Sequence, residues 1–226
     1  RAVAENVKVV GINDFYTAKG FEKWKEGCYK RKLYPLFGIE FISLNQEDQN
    51  AGVRVNDPAN PGRTYLSGKG MSFPFRIAEP FASELKAVEI ESNKQVEEML
   101  HRLNDYLNNL SIGIELDLEW IKVNLTLGSL RERHIARALR QKVYENCDND
   151  EGKILLLFRK IFNGRELSAS LSDIAGVENE IRSRLLKAGG AAYVTEEPSV
   201  FCLFRVFVTL FLLEVEYQLI LFWQIM

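Results

Sequence analysis

The chain has 226 residues, with 29 basic and 31 acidic side chains, a net charge of -2 and 46% hydrophobic residues. This balance excludes disordered, collagenous and low-complexity classes, and it leaves no chain-wide basic footprint for nucleic acid. The length suits one large domain or two small ones.

In chain order, residues 7–12 form a β-branched run that ends at Asn13-Asp14 and predict a buried strand. Thr17 is placed to cap a helix over about residues 18–31, with Phe21, Trp24 and Cys28 on one face. Residues 33–43 predict a second strand, in which Pro35 constrains the early pairing. Strand, helix and strand within some forty residues make a βαβ unit, so a parallel sheet or barrel is the expected architecture. Residues 45–80 are rich in Gly, Pro, Asn and Arg, with turn signals at Asp57-Pro58 and Asn60-Pro61-Gly62. They predict a long insertion outside the regular elements.

Helical spacing returns over residues 92–110, where Val96, Met99, Leu100, Leu103 and Leu107 recur and Ser92 with Gln95 suits a capping box. Residues 117–125 are weakly patterned, as a helix or a mixed segment. Residues 130–144 predict a helix with Ile135, Leu139 and Val143 in one stripe and arginines opposite. Helical character continues over 152–162 and 173–187. Residues 191–194, after Gly189-Gly190, predict a turn followed by a short strand.

Cys28, Cys147 and Cys202 are odd in number and far apart, which favours a reducing compartment over a disulfide framework or structural zinc. The sequence opens on Arg1 with no signal or transit peptide pattern. It is expected to be a fragment of a cytoplasmic protein.

Two carboxylates stand where chemistry is often placed. Asp14 ends the first strand and Glu40 the second, and ligands of parallel α/β sheets sit at the carboxyl ends of strands. Together they can hold a divalent metal or serve as acid and base. The plainer alternative makes Asp14 a turn residue and Glu40 a solvated strand end. His134 opens a predicted helix among Arg131, Arg133 and Arg137, as a metal ligand beside phosphate-holding arginines or as a solvated helix end. His101, beside Arg102 on an amphipathic helix, is a boundary residue. Arg54, Arg63 and Lys69, among glycines, suit a phosphate ester, although Gly68-Lys69-Gly70 lacks the Ser or Thr of a nucleotide P-loop. No G-x-S-x-G elbow or H-E-x-x-H motif is present, so serine-hydrolase and zincin chemistry is unsupported.

Gly11-Ile-Asn-Asp-Phe-Tyr-Thr-Ala-Lys-Gly20, Gly38-Ile-Glu40 and Arg133-His-Ile-Ala-Arg-Ala-Leu139 occur in that order. Together they resemble the polymerase-and-histidinol-phosphatase (PHP) family, with its G-I-T-D-H-x-T, G-I-E and R-P-H-I-A-R-A-L segments. The resemblance covers most of residues 5–199. It implies a partial distorted (β/α)7 TIM-like barrel over residues 1–199, lacking its first strand. It also implies a divalent metal (Mn, Zn, Fe or Mg) and hydrolysis of phosphate esters. By the same resemblance Asp14, Glu40 and His134 fall at metal-site positions; Arg54, Arg63, Lys69 and Arg133, singled out by their charge and surroundings, are the candidates for holding phosphate. The expected partner is a phosphorylated small molecule or nucleotide. Departures are Phe15, where the family has a histidine, and the missing H-x-H and D-x-H pairs. These predict weak or absent turnover. The alternative is a non-catalytic module that binds a nucleotide or another phosphorylated ligand.

Residues 201–226 contain 20 apolar residues out of 26, but Arg205, Glu214 and Glu216 make membrane insertion costly. From residue 213 onward a shifted frame permits Gly-Gly-Arg-Ile-Ser-Thr-Tyr-Pro-Val-Leu-Ala-Asp, similar to the family's G-G…V-L-A-H-P strand. Residues 200–226 are therefore read as an apolar tail from a shifted reading frame.

Overall fold

Short β-branched and aromatic runs of period two favour strands, and here three of the four strands of the sheet lie in the first half of the chain. In the computed structural model, the described residues are 1–58, 60–76, 79–127, 129–196 and 201–203. They form two compact units. One spans Arg1–Ile90 and includes the strand at Cys202–Leu203, and the other spans Glu91–Glu196.

In the first unit, β1 (Val9–Phe15), α1 (Phe21–Tyr29) and β2 (Tyr34–Leu44) form the expected βαβ element. β1 and β2 are parallel, in register from Val9 opposite Tyr34 to Phe15 opposite Glu40. β1 runs on through Asn13-Asp14 instead of turning there. Thr17 does not cap α1. Its hydroxyl accepts from the Lys19 N–H at 3.1 Å, and Gly20 holds the cap position.

The chain then makes α2 (Gln46–Asn50), whose N-cap Asn45 accepts from the Glu47 N–H, and β3 (Arg63–Lys69). β3 pairs antiparallel with β2, from Leu44 opposite Arg63 to Gly38 opposite Lys69. Residues 45–80 therefore do not lie wholly outside the regular elements, because β3 takes the second edge of β2. The two-residue β4 (Cys202–Leu203) pairs parallel with Ser43 and Leu44. The class is mixed α/β, with a four-stranded sheet and no closed barrel among the described residues.

On one face of this sheet Phe37, Ile39 and Phe41 are buried with Phe21 of α1, Tyr16, Met71 and Val88. Tyr16 follows β1 in the left-handed region, at φ 55. Its hydroxyl donates to the Ile42 carbonyl at 2.8 Å and accepts from the Ile42 N–H at 3.1 Å. A side chain thus satisfies β2 between the last residue paired with β1, Glu40, and the first paired with β4, Ser43.

Helix α3 (Phe81–Asn109) starts well before the expected residue 92. Ser92 lies inside it, buried, and accepts from Arg131 Nη1 at 2.9 Å, so the Ser92–Gln95 capping box does not form. The second unit continues with α4 (Leu118–Leu125), α5 (Glu132–Asn146), α6 (Glu151–Ile161) and α7 (Ile174–Ile181), followed by a π turn at Arg182–Leu186. Asp117, Asp150 and Asp173 cap α4, α6 and α7 through the N–H three residues on. The core is apolar: Leu103, Leu107, Ile121, Ile135, Leu139, Val143 and Phe158 are all fully buried. Residues 191–194 are not a strand. The Ala192 N–H turns back to the Leu185 carbonyl at 2.9 Å and carries the buried Ala192 methyl into this core.

Among the described residues no helix is long and apolar enough to cross a membrane. Of the tail, residues 200 and 204–226, with the shifted-frame string, lie outside the described residues.

Candidate functional site

The parallel pair brings the carboxyl ends of β1 and β2 side by side, but it separates their carboxylates. Laterally paired residues of a sheet share a face, and successive residues alternate. Asp14 is opposite Ile39, whereas Glu40 is opposite Phe15, so Asp14 and Glu40 point to opposite faces. Asp14 faces the α1 side, close against Gly20: a Cβ added there would meet Asp14 Oδ2 at 2.8 Å. Glu40 faces the other side, where Asn13 Nδ2 donates to its Oε2 at 3.2 Å and to Ser67 Oγ at 3.1 Å. The shared pocket expected for Asp14 and Glu40 is therefore not built.

Gly38 leaves room for the Asn13 bridge. A Cβ at Gly38 would fall 2.9 Å from Asn13 Oδ1 and 2.9 Å from the Gly68 carbonyl oxygen. Lys69 is opposite Gly38 and two residues from Ser67, which puts it on the Glu40 face, exposed. One outer face thus presents Asn13, Glu40, Ser67 and Lys69. Asn13 and Ser67 were not singled out from the sequence, since nothing before the β2–β3 register places Ser67 beside Glu40.

A second polar group near the end of β1 also escaped the sequence. Glu89, 8% exposed, takes Lys19 Nζ at 2.8 Å and Lys86 Nζ at 2.9 Å. Burial pushes the Glu89 carboxyl up, but the two ammonium groups outweigh it and hold the carboxyl below its ordinary value. The cluster pins α3 to the loop that follows β1.

His134 is occupied locally. Its Nδ1 accepts from the Arg131 N–H at 3.0 Å, and the His134 backbone N–H donates to the Arg131 carbonyl at 2.9 Å, closing the first turn of α5. With Nδ1 accepting, the proton of the neutral ring sits on Nε2, so neither nitrogen offers a free lone pair to a metal. Burial, then the charges of Arg133, Arg137 and Arg131, push the imidazole down to about 4. The unfolded chain binds the proton from about pH 6.5, so stability is intact above that pH and falls as pH drops toward 4. Solvent screening of this half-exposed ring limits the loss to about 1–2 kcal/mol. Urea melts at pH 7 and pH 4.5 should show this loss. His134→Gln, which keeps an acceptor without a titration, should flatten the slope.

The phosphate candidates are also dispersed. Arg63 and Lys69 sit at opposite ends of β3, six residues apart, or about 20 Å at ~3.4 Å per residue. Arg63 pairs with Asp57 at 3.6 Å and lies over the Phe201 ring at 4.4 Å. Arg54 is exposed and turns back to the Gly52 carbonyl at 3.3 Å. Arg133 is exposed on α5, in the other unit, and His101 is exposed on α3. Among the described residues no three His, Cys, Asp or Glu side chains gather as a metal would require.

No family model matches the chain, and no curated protein matches it. Among solved structures, it is similar to an amidohydrolase from Chromobacterium violaceum, determined with bound sulfate and no metal. Identity is 15% and the TM-score 0.51, over 94% of this chain and 55% of that one. The likeness is one of fold. A protein from Bifidobacterium adolescentis, provisionally named a metal-dependent phosphoesterase, aligns at 16% identity with a TM-score of 0.37. That alignment covers 68% of this chain and 47% of the other, and it carries no weight here. The chain spans about half the length of either protein.

Proposed function

We propose that the chain is a portion of a PHP-type metal-dependent phosphoesterase, impaired in hydrolysis as it stands. The observation that carries this reading is the parallel β1–β2 pair, which sets two PHP-like segments, Gly11–Gly20 and Gly38–Glu40, side by side at their carboxyl ends. The fold-level likeness to an amidohydrolase supports it. In this reading β1, β2 and β4 are members of a distorted (β/α)7 barrel, residues 45–80 are an insertion, and the buried thiols Cys28 and Cys147 belong to a cytoplasmic protein.

A divalent metal would supply a polarised phosphate and an activated water. The donors as placed do not fit such a cluster. Glu40 and Asp14 lie on opposite faces of the sheet, and His134 Nδ1 is committed to the Arg131 N–H. This arrangement supports the impaired reading. With p-nitrophenyl phosphate and Mn2+, turnover is expected far below the ~1 s⁻¹ floor of ordinary enzymes and insensitive to EDTA. Robust turnover that EDTA abolishes and manganese restores would overturn the impaired reading.

The second reading, a non-catalytic module for a phosphorylated ligand, is favoured by one feature. Lys69 shares a face with the Ser67 hydroxyl, while the Asn13 amide is spent on Glu40 and Ser67, and this cation and hydroxyl suit a phosphate better than a metal. AMP binding by calorimetry that Lys69→Gln weakens, in the absence of any turnover, selects it.

A further inference from the structure

Successive peptide groups of a strand point alternately to its two sides. The Tyr34 N–H donates to the Lys8 carbonyl at 2.8 Å and the Tyr16 N–H to the Glu40 carbonyl at 3.0 Å, so the even residues from 8 to 16 bond to β2. The peptide groups of Val9, Gly11 and Asn13 therefore point to the other side. All three residues are exposed, and among the described residues nothing bonds to their peptide groups there. The opposite edge of the sheet is covered. Asn56 Nδ2 donates to the Tyr65 carbonyl and Asn56 Oδ1 accepts from the Tyr65 N–H, both at 2.8 Å, so a side chain stands where another strand would pair with β3. β1 has no such cover, and it contains no proline, lysine or bulge that would keep a strand away.

We propose that β1 pairs antiparallel with β1 of a second copy of this chain, about a two-fold axis at Gly11. In that register Gly11 faces its own mate and Val9 faces Asn13, each pair exchanging both peptide hydrogen bonds. The residues between them set the register. Lys8, exposed and in no ion pair among the described residues, comes opposite Asp14 of the second copy. Val10 comes opposite Ile12, and both are half-buried, with surface left for that contact. A slip in one direction sets Val10 against Asp14, and a slip in the other sets Lys8 against Ile12. The Gly11 axis alone of these three matches charge with charge and apolar with apolar.

Sedimentation equilibrium of the full chain should show a monomer–dimer exchange with a Kd on the order of 10 µM, as a short ladder with little buried area allows. Lys8→Glu sets like charges opposite each other on both sides of the axis and should weaken the dimer about tenfold. Val9→Pro removes an N–H that β2 does not use, at the first residue of the strand, where proline is tolerated. It should leave a monomer with unchanged circular dichroism. Gly11→Cys should cross-link to its mate through a short bis-methanethiosulfonate reagent, since facing Cα atoms in such a pair lie ~5.5 Å apart. Tyr29→Cys, exposed at the end of α1, is the control and should not cross-link. A chain still monomeric at about 200 µM would overturn the proposal. So would a dimer that Lys8→Glu leaves unweakened, one that survives in folded Val9→Pro, or cross-linking as fast at residue 29 as at residue 11.

Discussion

Phe158→Ala is expected to cost the helical unit about 4 kcal/mol, the upper range for emptying a buried aromatic site. Phe158 is fully buried on α6 and stacks on Phe162 with ring centroids 5.5 Å apart. It packs in one cluster with residues of α3, α4, α5 and α7, so no single neighbour can move to close the cavity without opening another. Urea unfolding followed by helical circular dichroism measures the loss, and Leu156→Ala is the control. Leu156 is two residues away and 68% exposed, so its removal should change stability by less than about 0.5 kcal/mol. Equal losses for the two would mean that this core is not packed as described.

Gly38→Ala should destabilise the sheet by about 2–3 kcal/mol, as overpacking against fixed backbone does. Its methyl would fall 2.9 Å from the Gly68 carbonyl oxygen and 3.3 Å from the Ile12 carbonyl oxygen, neither of which can rotate away. It would also drive off the Asn13 amide that bridges Glu40 and Ser67. Gly11→Ala is the matched comparison on the neighbouring strand. There the new methyl meets the Leu36 Cβ at an ordinary 3.7 Å, so stability should hold within about 0.5 kcal/mol. Identical denaturation midpoints for both variants would contradict the close approach at Gly38.

The βαβ element was legible because its signals are local: a β-branched run, a helix with Phe21 and Cys28 on one side, and a second apolar run. α5, α6 and α7 were legible for the same reason, and the stripe of Ile135, Leu139 and Val143 is buried as its spacing required. What failed was non-local. β3 hides in a Gly- and Asn-rich segment whose strand character comes from pairing with β2 rather than from its own residues. Ser92 has the sequence look of a cap but is buried mid-helix, because Arg131 supplies its partner from α5. For the candidate site, spacing could place Asp14 and Glu40 at strand ends. It could not say which face each takes, since a register shift of one residue reverses every side chain. His134 was misjudged for a related reason: an imidazole at the third position of a helix can reach back to the cap N–H, and that use competes with ligation.

Tyr16 closes β2 at Ile42 with a phenol where a neighbouring strand would ordinarily supply a peptide group. Peptide partners release an amide proton to solvent only when strands part, a cooperative event involving many residues. A phenol releases it when one side chain swings out. The amide deuteration rate of Ile42 is therefore expected to follow the motion of the Tyr16 ring in the core of Phe41 and Met71. At Ile42 amide exchange thus reports the aromatic packing around Tyr16, whose own N–H extends the β1–β2 ladder to the Glu40 carbonyl.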